Sequence, residues 1–179
     1  MQAFLKKHAP GAALHMVKVN WSIHGRDVTI DFQVNKRSSA PWLADPAMTD
    51  DWRKNWGLWN KDVVEAFLQL RSHDEDTTAP YLEIQLSPLN QPLALIIVEP
   101  RKTFHAPVEL TFEHQVTVEG RNFSGQMKVT LPDDLRGEKL FGGFFACLSE
   151  NPREYYALNP NPESNPDFHR PELFVALDQ

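Results

Sequence analysis

Two segments far apart in the chain place aromatic rings beside hydrogen-bonding groups. They are Trp56-Gly57-Leu58-Trp59-Asn60-Lys61-Asp62-Val63-Val64-Glu65-Ala66-Phe67 and Asn165-Pro166-Asp167-Phe168-His169-Arg170-Pro171-Glu172-Leu173-Phe174. Rings among carboxylates and amides, in loops or at strand edges, make a surface that stacks a flat ligand and hydrogen-bonds its rim. Groups capable of acid–base work are present but unorganised. His73-Asp74-Glu75-Asp76 and Asp133-Asp134 lie in loop segments, where such charges are most simply solvated. Serine, histidine and aspartate occur without a nucleophile elbow or a strand–turn–helix context. No residue is assigned a catalytic role, and the chain reads as a non-enzyme. Loop carboxylates would suit calcium, a hard ion that takes oxygen ligands, but no EF-hand pattern occurs.

The elements that must position these groups are strands. Ala13 to Trp21 and Val28 to Val34 alternate apolar and polar residues around Gly25-Arg26-Asp27, which predicts a β-hairpin. Arg37 to Asn60, with its prolines, tryptophans and no sustained period, predicts a long functional loop. Asp62 to Leu70 fits helical spacing through Val63, Phe67 and Leu70, but alternation fits as well, with Val64, Ala66 and Leu68 on one side; a strand is favoured. Tyr81 to Ser87 alternates cleanly and runs into the turn Pro88-Leu89-Asn90-Gln91-Pro92. Further strands are predicted over Leu93 to Val98, Val108 to Glu119, Gly125 to Thr130, Leu140 to Leu148 and Glu154 to Ala157. The one helical start, Pro132-Asp133-Asp134, leads into a single turn at most before Gly137. Asn159 to Pro166 carries three prolines and predicts a rigid loop that delivers Asp167 to Phe174. Many short strands with almost no helix predict an all-β fold, an antiparallel β-sandwich of jelly-roll type forming one domain over 1–179.

Charge and cysteine usage narrow the partners. A formal net charge of −6 with no basic run argues against nucleic acid and anionic membrane surfaces. The only cysteine, Cys147, sits in an apolar run and predicts a buried core thiol, with no intrachain disulfide and no multi-cysteine metal site. Charge in Met1 to His8, where a signal peptide needs apolar residues, predicts a cytoplasmic protein, or a periplasmic or secreted one if a leader has been removed.

Trp59, the run Asp62 to Phe67, Tyr81 to Leu89 and Pro166 to Phe174 together resemble the family 9 carbohydrate-binding modules and the wider set of DOMON-like domains, over most of the chain from about Trp42 onward. The resemblance implies a β-sandwich that binds a sugar in a slot between two aromatic residues, with calcium supporting nearby loops. The family's first stacking tryptophan falls on Trp59 and its sugar-binding glutamate on Glu65. Its second stacking tryptophan falls on Phe168, and a binding asparagine on Asn165. A middle-strand arginine falls near Gln85, which keeps hydrogen bonding but loses the charge. A pyranose has apolar C–H faces and a rim of hydroxyls, so Trp59 and Phe168 would clamp the faces while Glu65, Gln85 and Asn165 take the rim.

Blander readings stand beside these. Trp52, Trp56 and Trp59 recur at near-helical spacing, the habit of a packed stripe. Glu65 would instead face solvent or pair with Arg101, Phe168 would plug the end of the sandwich, and His169 would bond a loop carbonyl. Two other functions stay open. Some DOMON-like domains bind haem through methionine and histidine, and Met16, Met48 and Met127 supply the composition for an electron-transfer role. The departures at Gln85 and Phe168 also suit a protein-interaction domain with a decayed sugar site.

Overall fold

The computed structural model describes residues 1–9, 11–37, 40–149, 151–163 and 166–177. Among these residues thirteen strands follow one another: β1 Gln2–Phe4, β2 Lys6–Lys7, β3 His15–His24, β4 Asp27–Lys36, β5 Val63–Arg71, β6 Tyr81–Leu86, β7 Pro92–Glu99, β8 Thr103–His105, β9 Phe112–Glu119, β10 Asn122–Thr130, β11 Lys139–Leu148, β12 Glu154–Ala157 and β13 Val175–Ala176. They form two antiparallel sheets packed as a sandwich. One runs β1-β3-β4-β10-β9; the other runs β2-β12-β11-β5-β6-β7-β8, with β13 added beside β12 on the same edge of β11. The all-β expectation is met. No helix among the described residues is long and apolar enough to cross a membrane.

The alternation seen in the sequence becomes the two faces of each strand. In the first sheet Val17, Val19, Val28, Ile30, Phe32 and Val34 point inward and are buried. The β3–β4 hairpin closes through Gly25-Arg26, with His24 opposite Asp27 and Gly25 at φ 62°, a left-handed value that a side chain would disfavour. In the second sheet Val64, Ala66 and Leu68 of β5, Leu82 and Ile84 of β6, and Phe144 and Ala146 of β11 meet that layer and complete the core.

All nine residues of β5 are buried, which one sandwich interface cannot explain. Its odd positions Val63, Glu65, Phe67, Gln69 and Arg71 face away from the first sheet, into a second layer made by loops. The long loop before β5 is held down by polar anchors. Asn55 Nδ2 donates to the carbonyls of Thr49 and Pro92, each at 2.7 Å, and its Oδ1 accepts from the Thr49 amide at 2.9 Å. Gln91 Nε2 donates to Asp45 O at 2.7 Å, and Asp62 Oδ2 accepts from the Leu43 amide at 2.8 Å. On the opposite side Arg71 donates to Pro171 O at 2.6 Å and lies 4.0 Å over the Phe141 ring, which ties down the C-terminal loop.

Several expectations shift. The run from Val108 becomes a strand only at Phe112. Pro132 to Leu135 closes one turn, with Leu135 N donating to Pro132 O at 3.0 Å. Short β1, β2, β8 and β13 were not expected; at two or three residues each, they are fixed by edge pairing and carry no readable period. The tryptophan stripe is not a helix: Trp52 is buried in the core, whereas Trp56 is 57% exposed.

Candidate functional site

The second layer encloses a cavity of about 590 Å³ over the outer face of β5, β6, β7 and β11, a size suited to a small-molecule ligand. Its floor follows from register. Glu65 on β5 pairs with Gln85 on β6, and Phe67 pairs with Glu83, so Glu65, Gln85 and Glu83 share one face of two adjacent strands. Cys147 of β11 and Leu95 and Ile97 of β7 extend that floor. Cys147 is buried as expected, yet it belongs to this outer layer and not to the core between the sheets.

The walls are aromatic. Gly57, at φ 84°, lets the chain reverse into a 3-10 turn, Leu58–Asn60, and this sets Trp56 against Trp59 edge to face at 4.7 Å. Trp56 also stacks on Phe104 of β8 at 5.1 Å and 26°. The turn is clamped by Arg153, whose Nη2 donates to Trp59 O at 2.8 Å and Lys61 O at 2.7 Å while Nη1 donates to Ser149 O at 3.0 Å. Phe168, also lining the cavity, stacks on Phe145 of β11 at 4.4 Å and 20°. Gly143 makes room for that ring, since a Cβ there would sit 2.4 Å from Phe145 Cζ.

The floor is rich in acceptors and poor in cations. Glu65 is 3% and Glu83 4% exposed. Burial, followed by the charge of Glu83, pushes the Glu65 carboxyl well above the usual range; burial pushes Glu83 up to about 7, against the hydrogen bond from Gln85. Gln85 Nε2 donates to Glu83 Oε1 at 2.6 Å, while Gln85 Oε1 is buried with no partner among the described residues. The Cys147 thiol, raised by burial, offers Glu65 Oε1 a weak S–H contact at 3.9 Å. His169 Nε2 lies 3.9 Å from Glu83 Oε2, but burial lowers its pKa, and its Nδ1 takes the Tyr81 hydroxyl at 2.6 Å.

Trp59, Glu65, Gln85 and Phe168 are thus brought together around one cavity. Asn165 lies outside the described residues. Glu65 is not paired with Arg101, whose guanidinium meets Asp167 instead, and His169 contacts a phenol where a loop carbonyl was expected. Phe168 covers the outer face of a sheet and does not plug the end of the sandwich. Sequence reasoning passed over Glu83, Phe104 and Arg153. Glu83 was within reach, because it sits two residues before Gln85 on a strand and must share its face. The imagined acid–base groups lie elsewhere: Asp133 is fully exposed, and Asp74 pairs with Lys139 at 2.6 Å.

Among the described residues no group of three or more His, Cys, Asp or Glu side chains could hold a metal ion, so no such set suits calcium. For haem, His169 borders the cavity but no methionine does: Met127 is fully buried in the core, Met16 is exposed on the other sheet, and Met48 packs against the outer-layer cluster without lining the cavity.

No protein-family model matches the chain. Two solved structures of a family 9 carbohydrate-binding module from Caldicellulosiruptor kristjanssonii share the fold. The complex with glucose superposes with a TM-score of 0.61 at 14% identity, covering 96% of this chain and 82% of that one. The complex with cellotriose gives 0.60 at 15% identity, covering 96% and 80%. The likeness to family 9 is therefore one of fold, and relatives by sequence bear another name. The UPF0462 protein C4orf33 homolog of Mus musculus is 32% identical over 149 residues, covering 79% of this chain and 74% of that protein. The homolog of Rattus norvegicus is 33% identical over 146 residues, covering 76% and 69%. With two thirds or more of each relative spanned at this identity, the chain belongs to the UPF0462 (C4orf33) family.

Proposed function

We propose that this protein is a non-catalytic binding module whose outer-face cavity holds a small sugar or the end of a glycan. The observation that carries the reading is the combination in one cavity of aromatic side chains from two loops with a buried floor that includes an amide oxygen, Gln85 Oε1, with no partner among the described residues. Trp59 and Phe168 stack the apolar faces of the ring, with Trp56 and Phe104 widening the platform at the mouth. Glu65 and Gln85 take the hydroxyl rim, the amide oxygen of Gln85 as an acceptor. The fold likeness to two modules solved with glucose and cellotriose supports this reading without assigning the residues.

Titration with a panel of mono- and oligosaccharides, followed by calorimetry and tryptophan emission, tests it. Saturable binding is expected, lost in Trp59→Ala and Gln85→Ala while both variants remain folded. An absence of heat and of emission change with every sugar at millimolar concentration would sink the reading. A partner protein would then be the better occupant for the cavity.

A further inference from the structure

With both glutamates ionised, the floor of the cavity would hold more negative charge than the protein neutralises, and burial raises both carboxyls accordingly. Glu65 makes no ion pair within 4.0 Å among the described residues, and the one partner of Glu83 at that range is His169, a ring that burial keeps neutral. Two cations border the same cavity, but both are engaged. Arg153 spends its donors on the carbonyls of Ser149, Trp59 and Lys61, and Arg101 is paired with Asp167. Counting Glu65, Glu83 and Asp167 against Arg101 and Arg153 leaves one negative charge in excess when both glutamates are ionised.

Donors are short as well. Glu83 Oε1 receives the Gln85 amide, Glu65 Oε1 receives only a distant thiol, and Gln85 Oε1 receives nothing. An ionised carboxylate can only accept, and so can an amide oxygen. A ligand that fits must bring several N–H or O–H donors and, for charge balance, a cation. An ammonium group brings three donors, no acceptor and one positive charge. The aromatic walls favour the same group, because ring faces attract cations when solvent is thinned around them.

Resting on the sugar-binding reading, we propose that the sugar this cavity prefers carries a protonated amine, the ammonium seated between Glu65, Glu83 and Gln85 Oε1 and the ring stacked on Trp59 and Phe168.

Calorimetric titration at neutral pH with glucosamine, glucose and N-acetylglucosamine reads this directly. Glucosamine is expected to bind at least tenfold more tightly than either neutral sugar, a difference of about 1.4 kcal/mol. Glu83→Gln keeps side-chain shape and removes the charge; it is expected to erase most of the preference while glucose affinity changes little. Equal affinity for glucosamine and glucose in the wild-type protein would overturn the amine assignment and leave the sugar reading standing. Binding of none of the three would overturn both. A preference for N-acetylglucosamine would also overturn the assignment, since the acetyl group removes the charge.

Discussion

Replacing Glu83 by glutamine should make the free protein more stable, and by an amount that depends on pH in a calculable way. Folding raises the Glu83 carboxyl from 4.5 to about 7, chiefly by burial. Between those values the native state holds a proton that the unfolded chain has released, so stability falls as pH rises through the interval. Above about 7 both states are ionised and the full cost is present. Two and a half pH units at 1.36 kcal/mol each give about 3 kcal/mol. The groups facing this carboxylate are Glu65, Gln85, Tyr81 and His169, with Arg101 and Asp167 at the rim. His15, His114 and His169, each lowered by burial, act with the opposite sign below their usual value, but they are common to both proteins. Glutamine can still accept from Gln85 Nε2 through its amide oxygen, so the comparison isolates the charge. Urea unfolding, followed by tryptophan emission at a series of pH values from 4.5 to 8, gives the stability difference between variant and wild type. It should grow by about 3 kcal/mol in favour of the variant across that range. A difference that stays flat with pH would refute the argument that Glu83 is buried without compensation.

Other perturbations probe the rest of the construction. Asn55→Ala removes three anchoring hydrogen bonds and leaves the Pro92 carbonyl without this donor, at a cost of about 3 kcal/mol in the same unfolding assay. Arg153→Ala frees the turn that carries Trp59; acrylamide quenching of tryptophan should increase and sugar affinity should fall at least tenfold. Phe144→Ala, at a fully buried ring that meets Trp21 at 4.9 Å, should destabilise by about 3–5 kcal/mol without changing what the cavity selects. Glu154 is held down to about 2, although its burial works the other way, by hydrogen bonds from Lys7, Tyr156, His15 and the Leu14 amide. The stability it contributes is present above 4.5 and is lost as pH falls towards 2, so Glu154→Gln should flatten the acid limb of the stability profile.

What could be read in advance followed from periodicity. The strands β3, β4 and β6 declare themselves through alternation, because one apolar face of each meets the sandwich core. For β5 the pattern was ambiguous for a physical reason: with both faces buried, Val63, Phe67 and Leu70 are apolar as well, and that mimics helical spacing. The tryptophans misled in the same manner. A near-helical interval placed Trp52, Trp56 and Trp59 on one stripe, but Gly57 and the turns around it send Trp52 into the core and Trp56 to the surface. Four of the five expected site residues share the cavity because strand register and one loop return bring them there. Phe104 and Arg153 could not be found by spacing. They reach the site through the β7–β8 turn and the approach to β12, contacts that no local pattern encodes.

Stability and recognition pull against each other on this floor. Two carboxylates on neighbouring strands, each nearly inaccessible and neither offset by a free cation, burden the empty protein, and an apolar pair of similar shape would relieve it. Cores shed such groups easily, since stabilising substitutions are common and most lie away from function. Under the proposed function, a floor with two acids, and an amide oxygen with no donor among the described residues, is complementary to a ligand that supplies the donors. The Glu83→Gln comparison separates the two explanations. If the variant gains stability and loses ligand preference together, the burial cost is the counterpart of binding. If it gains stability while preference is unchanged, the acid belongs to the architecture of the outer layer, and the ligand is held by Gln85, Glu65 and the rings alone.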